Sequence, residues 1–126
     1  MENSLGINQE KIDAALLCWK HSAGSGYNCW GFVAAYFGWI DSFRWLTAAS
    51  LEEFLSTCQP VDQLQIGDII AYYSNEGWLV HTALYAGDGY CYHKRGSNAF
   101  EYIKTIDVRE IYAEYGLKEE VLLRVA

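Results

Sequence analysis

The apolar residues change their period at Pro60, the only proline in the chain, and this change limits the folds open to it. Before Pro60 the spacing is helical. Ile12, Ala15, Leu16 and Trp19 recur at three- and four-residue intervals, with Asn8 placed to cap a helix reaching His21. The Ala23-Gly24-Ser25-Gly26 stretch breaks it. A second helix is predicted from Cys29, with Phe32, Val33, Tyr36 and Phe37 on one face, and a third from the cap-plus-acid pattern Ser50-Leu51-Glu52-Glu53 towards Cys58.

Beyond Pro60 the pattern reads as strands: Asp68–Tyr73, Trp78–Ala86, Tyr90–Lys94, Ala99–Ile106 and Val121–Val125, with a short helix over Val108–Tyr115. Helices first and a run of antiparallel strands afterwards give an α+β chain, its N-terminal helices packed on an antiparallel sheet. No repeat, low-complexity stretch or linker divides the 126 residues, so one domain over 1–126 is expected.

Sixteen acidic residues against nine basic ones give a net charge of −7, which disfavours nucleic acid and anionic membrane as partners. No apolar run approaches the ~18 residues of a membrane span, so no integral membrane contact is expected. Met1-Glu2-Asn3-Ser4-Leu5-Gly6 is not a secretory leader. The expected location is therefore the cytoplasm, or a periplasmic or extracellular site reached by a non-classical route. Cys18, Cys29, Cys58 and Cys91 are widely spaced, form no Cys-x-x-Cys pair and are expected as free thiols. Asp13, Asp41, Asp62, Asp107 and the Glu119-Glu120 pair are scattered over polar faces. Asp68, after Gly67, is placed to cap nearby backbone N–H groups.

Cys29 differs from the other thiols because it opens a helix. A helix N-terminus offers unpaired N–H groups and a partial positive charge, which favour a thiolate and can bind an oxyanion. A small buried hydrophobe is the competing reading of any single cysteine. A nucleophile needs a base, and His21, His81 and His93 are the histidines available. His21 at a helix end is suited to relieve the C-terminal dipole. His81 and His93 lie in adjacent predicted strands, and register decides whether they meet. A two-residue turn at Asp88-Gly89 would put them on opposite faces. A three-residue Gly87-Asp88-Gly89 connection pairs Ala86 with Tyr90 and Ala83 with His93, which gathers His81, Ala83, Tyr85, Cys91 and His93 on one face. The glycines on both sides of Asp88 favour this second register.

Three blocks carry a resemblance. Tyr27-Asn28-Cys29-Trp30-Gly31-Phe32-Val33 is similar to the nucleophile motif of NlpC/P60 cysteine peptidases, an aromatic residue or Met followed by Asp-Cys-Ser-Gly. Leu64-Gln65-Ile66-Gly67-Asp68-Ile69-Ile70 resembles the family's Leu-x-x-Gly-Asp-Leu block. His81-Thr82-Ala83-Leu84-Tyr85-Ala86-Gly87 resembles His-Val-Gly-Ile-Tyr-x-Gly, and His93 falls where the family keeps the residue that orients the base. The resemblance implies a papain-like core and a cysteine peptidase or amidase. Cys29 would be its nucleophile, His81 its base and His93 the orienting residue. The substrate would be a peptide or peptidoglycan fragment, with an immunity or inhibitor protein as a further candidate partner. Neither cofactor nor metal is implied. Tyr27, Asn28 and Trp30, flanking the nucleophile, are the candidate substrate-binding residues. Asn28 and Trp30 depart from the family's Asp and Ser, and Tyr27 is the only tyrosine near the site to stand in for one that relatives carry further upstream. The order Cys, His, His is the reverse of that in lecithin:retinol acyltransferase-like proteins, where a histidine comes first.

Two other readings compete. Cys29, His81, Cys91 and His93 could converge as a zinc tetrad. Alternatively the chain is an inactive binding module, with Trp30, Trp39, Trp45 and Trp78 lining a groove, or a thiol hydrolase or acyltransferase working on a substrate outside the cell wall.

Overall fold

The computed structural model describes residues 6–20, 27–94, 103–107 and 119–126, with the backbone alone at 19–20 and 103–107. Its helices are α1 (Gln9–Lys20), α2 (Cys29–Tyr36) and α3 (Ala48–Leu55). Asn8 caps α1 as expected, its Oδ1 accepting the Lys11 N–H at 3.2 Å. The Asn8 N–H donates to the Tyr36 hydroxyl at 2.7 Å, tying the start of α1 to the end of α2. α3 begins earlier than the sequence pattern indicates. Thr47 is its cap, with Oγ1 accepting the Ser50 N–H at 3.1 Å, so Ser50 lies inside the first turn.

Six strands follow: β1 (Gln59–Pro60), β2 (Ile69–Tyr73), β3 (Leu79–Gly87), β4 (Tyr90–Lys94), β5 (Ile103–Asp107) and β6 (Glu119–Arg124). They form one sheet in the order β1-β6-β2-β3-β4-β5, every neighbouring pair antiparallel. The last strand inserts between β1 and β2. The two-residue β1 was not foreseen; it holds Pro60 at the sheet edge, where a missing backbone donor is tolerated. His21, the helix expected over 108–115 and the 99–102 part of the fourth expected strand lie outside the described residues.

The helices cover one face of the sheet. Phe32, Val33 and Leu51 pack with Ile69, Ala71, Leu84 and Leu123 in one buried cluster. An eight-residue helix such as α2 does not persist alone in water. Here every residue of it except Trp30 is buried. Removing a side chain the size of Phe32 or Val33 from water contributes about 1.5–3 kcal/mol, so packing holds α2 and places Cys29. Ile70, Tyr72, Ala83 and Cys91 form a second buried cluster on the opposite face.

Asp68 secures the start of β2. It accepts the Gln65 N–H at 2.7 Å and, through both carboxylate oxygens, Arg124 Nε and Nη2 at 2.9 Å each. The capping role expected of it is present, joined by an ion pair to the final strand. Among the described residues no helix is long and apolar enough to cross a membrane, and Cys18, Cys29, Cys58 and Cys91 are free.

Candidate active site

Asn28 builds the start of α2. Its backbone is extended, and its Oδ1 accepts the N–H of Gly31 at 2.9 Å and of Leu46 at 3.1 Å. Its Nδ2 donates to the Leu46 carbonyl at 2.7 Å, and its own carbonyl accepts the Phe32 N–H at 2.9 Å. The N–H groups of Gly31 and Phe32 are thus taken up by the cap, which leaves those of Cys29 and Trp30 outside it. Gly31 permits this arrangement, because a Cβ there would lie 1.7 Å from the Arg44 carbonyl oxygen. It is the 44–46 loop that comes close at this glycine.

Two of the residues expected to contact substrate have their polar groups engaged within the protein. Tyr27 is buried, its hydroxyl donating to the Ala15 carbonyl at 2.6 Å and its ring lying 5.7 Å from the buried Lys94 ammonium. Asn28 is buried too, with its amide committed to Gly31 and Leu46. Both side chains hold the helix start in place. Trp30 remains partly exposed, and its indole Nε1–H is buried without a hydrogen-bond partner.

The turn between β3 and β4 combines features of both registers weighed from the sequence. Gly87 pairs with Tyr90, leaving the two-residue turn Asp88-Gly89 with φ of 54° and 82°. A bulge between Tyr85 and Gly87 then restores the Tyr85–Cys91 and Leu84–Tyr92 pairs, with Ala86 as the extra residue. By alternation His93 follows Cys91 onto the face that carries His81 and Tyr85. The two imidazoles meet there, His81 Nε2 to His93 Nδ1 at 3.0 Å, ring planes at 87°. Tyr72, directly across from His81 on β2, lies against it with ring centroids 6.0 Å apart.

Cys29 meets the sheet at Thr82, the residue after His81. Tyr85 bonds toward β2, through Asp68 O and Gly67 N at 2.8 and 2.9 Å, so by alternation Thr82 points toward β4. The β3–β4 pairing ends at Leu84–Tyr92. Past that point the Thr82 hydroxyl donates to the Cys29 carbonyl at 3.2 Å.

The site is closed to water: Cys29 is 5% exposed, His81 1% and His93 0%. Burial pushes the Cys29 thiol up to about 11, against the pull of the Thr82, Trp30 and Cys29 N–H groups and the Thr82 hydroxyl. Burial first, then the neighbouring His93, holds His81 down at about 3. The thiolate expected from a helix N-terminus is thus overridden by desolvation. At neutral pH the resting site carries an uncharged thiol and an uncharged imidazole.

Thr82, Tyr72 and Lys94 were not picked out from the sequence. Thr82 had the one available signal, its place beside His81; the others read as ordinary strand residues. The alternative zinc tetrad is not assembled, since among the described residues no group of three or more His, Cys, Asp or Glu could hold a metal ion.

Comparison with known proteins agrees with the fold. A sequence model described as the NlpC/P60 family matches residues 17–122. The fold is similar to that of an NlpC/P60 family protein from Bacillus cereus, with a TM-score of 0.55 and 20% identity over 95% of this chain and 41% of that one. An NlpC protein from Trichomonas vaginalis gives 0.54 and 18% over 98% of this chain and 46% of that one. A protein from Staphylococcus aureus described as similar to lipoprotein, NLP/P60 family, gives 0.54 and 17% over 99% and 45%. This chain spans less than half the length of those structures. No curated protein matched the sequence.

Proposed function

The chain belongs to the NlpC/P60 family, and on that premise we propose that it is a cysteine hydrolase of amide bonds acting on a peptidoglycan stem peptide. Proteins of this family are typically cell-wall peptidases or amidases that use a cysteine. The observation that carries the reading is the buried His81–His93 pair at 3.0 Å, with Thr82, the residue after His81, bonded to the carbonyl of Cys29 at the helix start.

In this mechanism His81 Nδ1 takes the Cys29 proton while its Nε2–H donates to His93 Nδ1. The sulfur attacks the amide carbonyl carbon, and the oxygen that gains the charge is met by the Cys29 and Trp30 N–H groups left over by the Asn28 cap. His81 returns its proton to the departing amine. A water deprotonated by the same imidazole then hydrolyses the thioester and frees Cys29. Holding both partners neutral at rest suits a proton transfer that occurs only with substrate in place. His93 keeps the His81 ring turned so that its other nitrogen serves the thiol.

An inactive binding module is the reading that the raised thiol would favour. Digestion of purified peptidoglycan separates the two. The wild type should release peptides absent from a Cys29→Ala digest, each product mass showing one added water at the broken bond. Identical product masses from the two proteins would overturn the hydrolase reading.

A further inference from the structure

Tyr72 is fully buried on the sheet face that carries His81, and its hydroxyl has no hydrogen-bond partner. A buried hydroxyl left unsatisfied costs about 1–3 kcal/mol. A phenylalanine would fill the same space beside Ile70 and Ala83 without that cost. The position is also specific. Tyr72 pairs directly with His81 across β2 and β3, and the two rings lie 6.0 Å apart. A second buried donor without a partner, Trp30 Nε1, comes from the residue after Cys29. The two unsatisfied donors thus arise next to the nucleophile and next to the base.

We propose that Tyr72 is a substrate-binding residue of this site, its hydroxyl donating to a carbonyl or carboxylate oxygen of the peptide whose amide bond Cys29 attacks. The proposal rests on the hydrolase reading for the identity of that peptide. Tyr72 lies against His81, so a peptide placed for proton transfer by that imidazole comes within reach of the phenol. Burial first, and then Cys91 and Glu120, push the phenol upward, so it is a donor at neutral pH. An acceptor oxygen supplied by the substrate removes the desolvation penalty at the moment of binding, which converts an unfavourable feature of the free protein into selectivity for peptides.

Tyr72→Phe removes one oxygen and keeps the ring. Its melting temperature should equal or exceed that of the wild type, because an unsatisfied group has been deleted; a marked fall would reveal a structural partner and overturn the proposal. Binding of a soluble stem peptide is then compared between Cys29→Ala and Cys29→Ala/Tyr72→Phe by calorimetry. The phenylalanine should weaken it about tenfold. Alkylation of Cys29 by iodoacetamide at pH 8.5 should proceed at the same rate in Tyr72→Phe and wild type. Equal binding by the two variants, or binding by neither, overturns the proposal. So does a parallel loss of alkylation, which would make Tyr72 a positioning residue for the Cys29–His81 pair. Binding is read without turnover, so a wild type as inactive as Cys29→Ala would end the hydrolase reading and leave this comparison decisive.

Discussion

Asn28 joins two segments with one amide group, fixing the start of α2 to Leu46 through a matched donor and acceptor. Asn28→Ala should destabilise the protein by about 2 kcal/mol, a lost cap plus a buried carbonyl without its donor. Asn28→Asp is the sharper test. It keeps both accepted bonds but turns the Nδ2–H facing the Leu46 carbonyl into an oxygen, and only protonation of the carboxyl restores a donor there. Its deficit in melting temperature relative to wild type should therefore be larger at pH 8 than at pH 5; equal deficits would contradict the assigned amide geometry. Cys29, His81 and His93 stand out in the sequence because a helix start and a fixed spacing are local signals, and the structure brings the two histidines together. The roles of Tyr27 and Asn28 do not stand out there. Whether a side chain beside the nucleophile faces a substrate or the protein depends on Ala15, Leu46 and Lys94, which reach it only through the fold. The unpaired Tyr72 hydroxyl was hidden for the same reason.

At the level of elements, the register of β4 against β3 decides where His93 points. The sequence posed a two-residue and a three-residue turn as alternatives, and the structure has the shorter turn with a bulge that recovers the longer turn's register. Alternation predicts side-chain faces only while strands pair one to one, so a bulge cannot be read from period alone. Helix and strand identities were legible within the described residues, because α1 spaces its apolar residues helically, α2 is an apolar run behind Asn28, and β2 to β4 are short apolar runs bounded by turn residues. Boundaries were less so: Thr47 displaced Ser50 as a cap, and the Gln59–Pro60 pairing is too short to leave a pattern. Deleting Ala86 gives this reasoning a direct check. With the two-residue turn kept and the extra residue gone, Tyr85 pairs with Cys91 and Leu84 with Tyr92 without a bulge, so His93 stays on the face of His81. Peptide turnover should then survive the deletion; a fall to the level of His93→Ala would show that Ala86 is not merely the residue the bulge absorbs.

For the whole molecule, enclosing the reactive groups links folding to pH from both sides. The unfolded chain protonates His81 near 6.5, whereas the fold holds it at about 3. Between those values the unfolded state binds more protons, so stability falls as pH drops from about 6.5 towards 3. Cys29 runs the other way. Its thiol ionises near 9.0 when unfolded and near 11 when folded, so stability falls as pH rises through that interval. Melting temperature should be highest between roughly pH 6.5 and 9, and His81→Gln should flatten the acid side; an equal acid slope in both proteins would contradict a buried neutral imidazole. The central claim is that Cys29, His81 and His93 act in distinct roles, and it is tested most directly by kcat/KM on one soluble stem peptide across four variants. Cys29→Ala and His81→Ala should lose several orders of magnitude, as removal of a nucleophile or base does. His93→Gln should keep a measurable fraction, since its amide oxygen can still accept from His81, and His93→Ala should fall between. Wild-type turnover in Cys29→Ala, or an active His81→Ala beside a dead His93→Gln, would contradict it.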